Sequence, residues 1–179
     1  MVFKNDKWNG TGEIVVYSNY HKYWLDRERR IKNPLFDVFS GKILDLKEGK
    51  STAINYFYNL INEEICEGVT ICVVPSSDSE KKITGISQLG ERLARSGRVN
   101  KVYFLNRIKS IVKLATGGCR EKEVHMQSIR TVENMEITKD IVLLMDDVTT
   151  TGNSLYACKE ILMQCGADEV EMFALGKAI

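Results

Sequence analysis

Val142-Leu143-Leu144-Met145-Asp146-Asp147-Val148-Thr149-Thr150-Thr151-Gly152-Asn153-Ser154 joins four apolar residues to two acids, a threonine-rich turn, a glycine and a polar pair. The apolar part, beginning at Ile141, reads as a strand buried on both faces, because it lacks the alternation of a half-exposed strand. Behind the turn, Leu155, Cys158, Ile161 and Leu162 recur at helical spacing over Asn153 to Cys165, and Gly166 supplies the stop. A buried strand therefore runs through a small polar turn straight into a helix.

The same grammar extends outward. Val69 to Val74, halted by Pro75, predicts a second buried strand, and Lys101 to Leu105 a third; Val170 to Leu175 predicts the last. Ile54, Phe57, Tyr58, Ile61 and Ile65 mark a helix behind a Ser/Thr cap at Ser51. Ile86, Leu89, Leu93 and Ala94 mark another, ended by Ser96-Gly97. Lys109 to Arg130 is polar and weakly periodic, and predicts a loop over part of its length. Strands alternating with helices predict a single-domain α/β fold. Its centre is an open, twisted, Rossmann-like parallel sheet with helices on both faces and right-handed crossovers. Residues 51–179 form that core. Residues 1–50, with one strand candidate from Ile14 to Tyr17 and an aromatic, basic stretch after it, are expected to form a small N-terminal hood or flap.

A chain of 179 residues with 44% apolar and 27% charged side chains can bury one full core and has no composition for a long disordered tail. A net charge of +1 argues against nucleic acid as an obligatory partner, the basic run Arg27 to Arg30 notwithstanding. No apolar run is long enough for a membrane span and none resembles a leader, so a cytoplasmic protein is expected. The cysteines Cys66, Cys72, Cys119, Cys158 and Cys165 lack metal-ligand spacing. All but Cys119 read as small core residues.

Chemistry concentrates at the turn after Met145. Carboxylates leaving a buried strand must meet water or a ligand, since an unpaired charge kept dry costs several kcal/mol. The following helix start offers free amides and the positive end of its dipole to an anion, and Gly152 permits close approach. Each of these residues taken singly is an ordinary loop or cap residue; their combination in this order is specific. Together they suggest a sugar-phosphate site, with phosphate on the amides and ribose hydroxyls on Asp146 and Asp147. The spacing is neither that of a Walker loop nor that of a dinucleotide fingerprint.

The string from Val142 to Ser154 resembles the signature of the type I phosphoribosyltransferases, and in look it is nearest to their ComF-like branch. The resemblance covers roughly Val69 to Leu175. It implies that Asp146 and Asp147 bind the ribose of phosphoribosyl pyrophosphate (PRPP) and are the catalytic pair. Thr149, Thr150, Thr151, Gly152, Asn153 and Ser154 would hold its 5-phosphate. Ser76 and Ser77 stand where the family places its pyrophosphate loop. Lys113, Arg120, Lys122 and His125 fall where it has a closing loop. Mg²⁺ would come with PRPP, with no direct protein ligation, and the partners implied are PRPP and a small-molecule base, with a homodimer as the assembly. Thr150 occupies the position at which purine-specific members carry a further acid, which points away from a hypoxanthine-guanine reaction. Tyr20, Tyr23 and Trp24 could stack on a base or simply pack. The expected activity is transfer of the phosphoribosyl group to a nucleobase-like acceptor with release of pyrophosphate. The other reading is a non-catalytic PRPP or nucleotide-binding regulator, or a ComF-like accessory protein in DNA uptake, because a binding motif does not entail turnover.

Overall fold

In the computed structural model, which describes residues 1–111 and 122–179, the strand that carries the acid pair lies at the centre. β8 (Ile141–Thr149) is flanked by β4 (Thr70–Val73) on one side and β9 (Glu169–Ala178) on the other. β1 (Ile14–Tyr20) closes the sheet beyond β9 and β5 (Val99–Asn100) beyond β4, giving the order β1-β9-β8-β4-β5, parallel at every pairing. Val142 to Met145 have no exposure at all. That is the burial expected of a strand covered on both faces, and it accounts for the unbroken apolar run.

Each face has its own apolar cluster. On one, α1 (Val38–Lys47), α2 (Ser51–Ile61) and α3 (Gly85–Ala94) cover Ile71, Val73, Leu143 and Met145. On the other, α5 (Asn153–Gln164) places Leu155, Cys158 and Leu162 against Cys72, Leu144 and Met172. α4 (Lys122–Ser128) packs on α5, and the antiparallel pair β6 (Leu105–Arg107) and β7 (Ile129–Thr131) stands apart from the main sheet. No helix among the described residues is long and apolar enough to cross a membrane.

Several details depart from the sequence reading. Ser51 is the first helical residue of α2 and not its cap; Lys50 occupies the cap position and gives no side-chain bond. The segment expected as one strand from Lys101 to Leu105 is divided: pairing with β4 ends at Asn100, whose Oδ1 accepts from the Val102 amide, and β6 begins at Leu105. Val102 and Phe104 are buried without a ladder, so apolarity there reports covering by neighbours and not strand pairing. In the polar stretch read as partly loop, α4 forms and β7 begins. Cys165 is exposed at the end of α5, and Cys119 lies outside the described residues. Of the first fifty residues, expected as a hood, β1 belongs to the central sheet and α1 to its helical layer. The short antiparallel hairpin of β2 (Trp24–Asp26) and β3 (Ile31–Lys32) stands outside the sheet.

One close approach sets the position of α1 relative to the sheet. A Cβ on Gly85, at the start of α3, would lie 1.7 Å from the Leu46 carbonyl oxygen, so the C-terminal end of α1 rests directly on the α3 backbone. Gly85→Ala must push the two helices apart. We expect a loss of about 1–3 kcal/mol, typical of overpacking a tight interior, read as the shift in urea unfolding midpoint at unchanged slope.

Candidate functional site

Asp146 and Asp147 are the sixth and seventh residues of β8, past the fully buried Met145. Alternation along the strand turns their side chains to opposite faces. Asp147 meets Lys47 at the end of α1, with Lys47 Nζ 2.8 Å from Asp147 Oδ1. Asp146 turns toward α5, accepting from the Asp147 amide at 2.8 Å and from Ser154 Oγ at 3.4 Å.

The two acids differ in their electrostatic position. Burial raises the pKa of Asp146, and the neighbouring charge of Asp147 raises it further. Lys47, the Asp147 amide and Ser154 pull the other way, leaving the group at about 7. For Lys47, burial works against the charge, but the attraction and hydrogen bond of Asp147 and the field of Asp146 outweigh it and lift the ammonium above its ordinary value. The side chain of Lys47 is 40% exposed and that of Asp147 21%, so the pair is moderate in strength and water can compete for it.

Two features distinguish the turn that follows. Gly152 sits at φ +83°, a conformation that favours glycine, and a Cβ there would come within 2.4 Å of Ile14 Cδ1, so the Ile14 side chain would have to move. It occupies the cap position of α5 and supplies no side-chain cap, which leaves the helix start without the usual internal acceptor. The Thr149 hydroxyl, on a residue only 4% exposed, has no hydrogen-bond partner among the described residues. A buried hydroxyl without a partner costs about 1–3 kcal/mol and is uncommon in a native interior.

Facing this turn across a cavity of about 450 Å³ is the segment after β4. Pro75 to Asp78 form the opposite wall. The Ser76 carbonyl accepts from Arg107 Nε at 2.5 Å and the Ser77 carbonyl from the Ile111 amide at 3.0 Å. Arg107 is 3% exposed and also donates to Ser128 Oγ at 2.5 Å, with His125 Nδ1 3.4 Å from its second terminal nitrogen. The space thus has a carboxylate side, an uncapped helix start, and a side backed by a buried guanidinium.

Asp146, Asp147, all six residues from Thr149 to Ser154, Ser76, Ser77 and His125 line this one cavity. Lys122 does not; it pairs with Glu160 of α5. Lys113 and Arg120 lie outside the described residues. Tyr23 and Trp24 pack edge to face on each other, with ring centroids 4.8 Å apart, and Tyr23 also packs on Phe36. Lys47, Lys81 and Arg107 line the cavity without having been marked in the sequence. For Arg107 there was a signal, a cation two positions beyond an apolar residue in a short strand pattern. For Lys47, a hundred residues from its partner, there was none.

No protein-family description and no curated protein matches the chain. Among solved structures it is similar to a hypoxanthine phosphoribosyltransferase from Staphylococcus aureus in a tetragonal crystal form. That likeness is 14% identity over 76% of this chain and 74% of the other, with a TM-score of 0.43. The orthorhombic form of the same enzyme gives 15%, 76% and 74%, and 0.42. A purine phosphoribosyltransferase from Pyrococcus horikoshii Ot3 gives 16% identity, 79% and 86% coverage, and 0.39. At these values the likeness assigns neither substrate nor activity to this chain.

The raised pKa of Asp146 has a consequence for the ligand-free protein. A carboxyl whose folded-state pKa exceeds its unfolded value binds more protons folded than unfolded. Stability is therefore lost as pH rises from the unfolded value near 3.8 toward about 7. Asp146→Asn removes that loss. We expect the variant to be more stable than the parent by about 1–3 kcal/mol at pH 8, with the advantage shrinking as pH falls to 5, in urea titrations at both values.

Proposed function

We propose that the chain is a phosphoribosyltransferase that moves the phosphoribosyl group of PRPP to a nucleobase-like acceptor and releases pyrophosphate. The observation that carries this reading is the Thr149 hydroxyl, buried without a partner beside the uncapped start of α5, in the same cavity as the two aspartates. A phosphate there would accept from that hydroxyl and from the helix amides, with the dipole favouring its charge. A pentose attached to it would extend toward Asp146 and Asp147, whose carboxylates accept from vicinal hydroxyls.

The rest of the cavity suits the leaving group. Ser76 and Ser77 line the far wall, and Arg107, fixed by Ser76 and Ser128, holds positive charge behind them without needing to reorganise as charge develops. Displacement at C1 passes through a sugar bearing positive charge, chemically akin to glycosyl transfer. The ionised aspartates stabilise that charge from beneath. Mg²⁺ fits the oxygen-rich surroundings and, when bound with PRPP, would supply charge neutralisation on the pyrophosphate. Two aspartates, one of them committed to Lys47, are too few to hold it alone, so it would be held chiefly by ligand oxygens and water. Lys47 must exchange Asp147 for another partner when the ribose arrives. The ComF-like branch is the variety of this family that we favour, on the threonine-rich turn with Thr150 in place of an acid.

Asp146→Asn combined with Asp147→Asn should give a folded protein whose calorimetric titration with PRPP and Mg²⁺ shows at least a hundredfold weaker binding. Undiminished affinity would remove the ribose role. Thr149→Val should act in opposite directions on the two states, stabilising the ligand-free protein by up to about 1 kcal/mol while weakening PRPP about tenfold. A pyrophosphate-release screen across nucleobases separates enzyme from regulator, since tight PRPP binding without release for any acceptor supports the regulator.

A further inference from the structure

The segment from Pro75 to Thr84 has a second cavity on its other side. This space, of about 470 Å³, lies between that segment, the flank of α3 and β6, and none of Asp146 to Ser154 lines it. Its volume is within the range of roughly 300–1,000 Å³ typical of small-molecule sites. Val73, Val102 and Leu105 form an apolar floor, while Tyr103 and Met135 contribute a ring and a thioether, the surfaces on which flat aromatic ligands pack best.

The polar equipment is sparse and placed. Asn106 lies between Leu105 and Arg107 on β6, and all three line this cavity. Its half-buried carboxamide makes no hydrogen bond among the described residues. One carboxamide offers a donor and an acceptor side by side, which is the pairing that reads the edge of a heterocycle. Around the rim, Lys81 and Lys82 are balanced by Asp78 and Glu91, so the field selects no net charge.

We infer that this cavity is a second ligand site, for a neutral planar heteroaromatic ring of nucleobase type, separate from the sugar-phosphate cavity and linked to it. The link is structural. Asn106 and Arg107 are neighbours on one short strand, and Arg107 Nε holds the Ser76 carbonyl; Ser110 Oγ accepts from the Ser79 amide at 2.9 Å on the same wall. A ring that engages Asn106 therefore fixes the strand that positions Ser76 in the neighbouring cavity. Linkage of this kind is reciprocal. The assignment of that neighbour to pyrophosphate rests on the proposed function; the ring site does not.

The test is fluorescence titration of the full chain with 2-aminopurine, in the absence and presence of inorganic pyrophosphate. Saturable single-site binding is expected, weakened at least tenfold by Asn106→Leu and by Met135→Trp. Met135 is 37% exposed at the mouth, so a tryptophan there blocks entry without disturbing the core. Pyrophosphate should change the affinity for 2-aminopurine at least threefold, and saturating 2-aminopurine should change pyrophosphate affinity by the same factor. Asp146→Asn with Asp147→Asn should leave 2-aminopurine binding intact. No saturable binding, or binding indifferent to both cavity variants and lost in the double aspartate variant, overturns the second site. Binding without any mutual effect of pyrophosphate overturns the linkage. Undiminished PRPP binding in the double aspartate variant, with 2-aminopurine binding retained, counts against the proposed function alone.

Discussion

The contact between Lys47 and Asp147 holds the rest of the site in its present form. Two carboxylates adjoin at the end of a strand whose preceding residues are wholly buried, and their mutual repulsion has to be met by something. The ammonium of Lys47 pairs with Asp147, while burial, with the charge of Asp147 added, leaves Asp146 with a pKa near neutrality. Because Lys47 closes α1, and α1 is set by the contact of Leu46 with Gly85, the charge balance of the site depends on how tightly two helices on one face of the sheet approach. A surface-like ion pair is cheap to exchange, which is useful where a ligand must take over one of its members.

A second constraint acts at the other end of the cavity. The start of α5 lacks a side-chain cap, and the Thr149 hydroxyl is buried without a partner. Folding leaves the Thr149 hydroxyl without a partner among the described residues, and the positive φ of Gly152 favours glycine there. Local instability of this sort fits a surface shaped for an anion. Arg107 provides the complement, a guanidinium buried with its hydrogen bonds arranged, so that charge stands behind the Pro75 to Asp78 wall without a mobile side chain having to deliver it.

Much of this was legible in the chain because it is local. The run from Ile141 to Met145 could be nothing but a buried strand, and the helix after Gly152, with its stop at Gly166, followed from spacing alone. The parallel, two-sided sheet follows from several such units in succession. The turn chemistry was legible for the same reason: acids, threonines, glycine and helix start are contiguous, so one strand-to-helix passage brings them together. Where the reading failed, the determinant was not local. Val102 and Phe104 are apolar because neighbours cover them, and no ladder continues there. Lys122 is basic, yet its charge is spent on Glu160.

By itself the sequence determined the buried strand before the acid pair, the helix after Gly152 and the parallel, two-sided arrangement, since these are set by nearest neighbours and periodicity. Only the tertiary structure decided that β1 enters the sheet, that Lys47 neutralises Asp147 across a hundred residues, and that Arg107 backs the opposite wall. Those facts are pairings between distant segments, chosen by packing and charge when the layers close, and no window of the chain contains both partners.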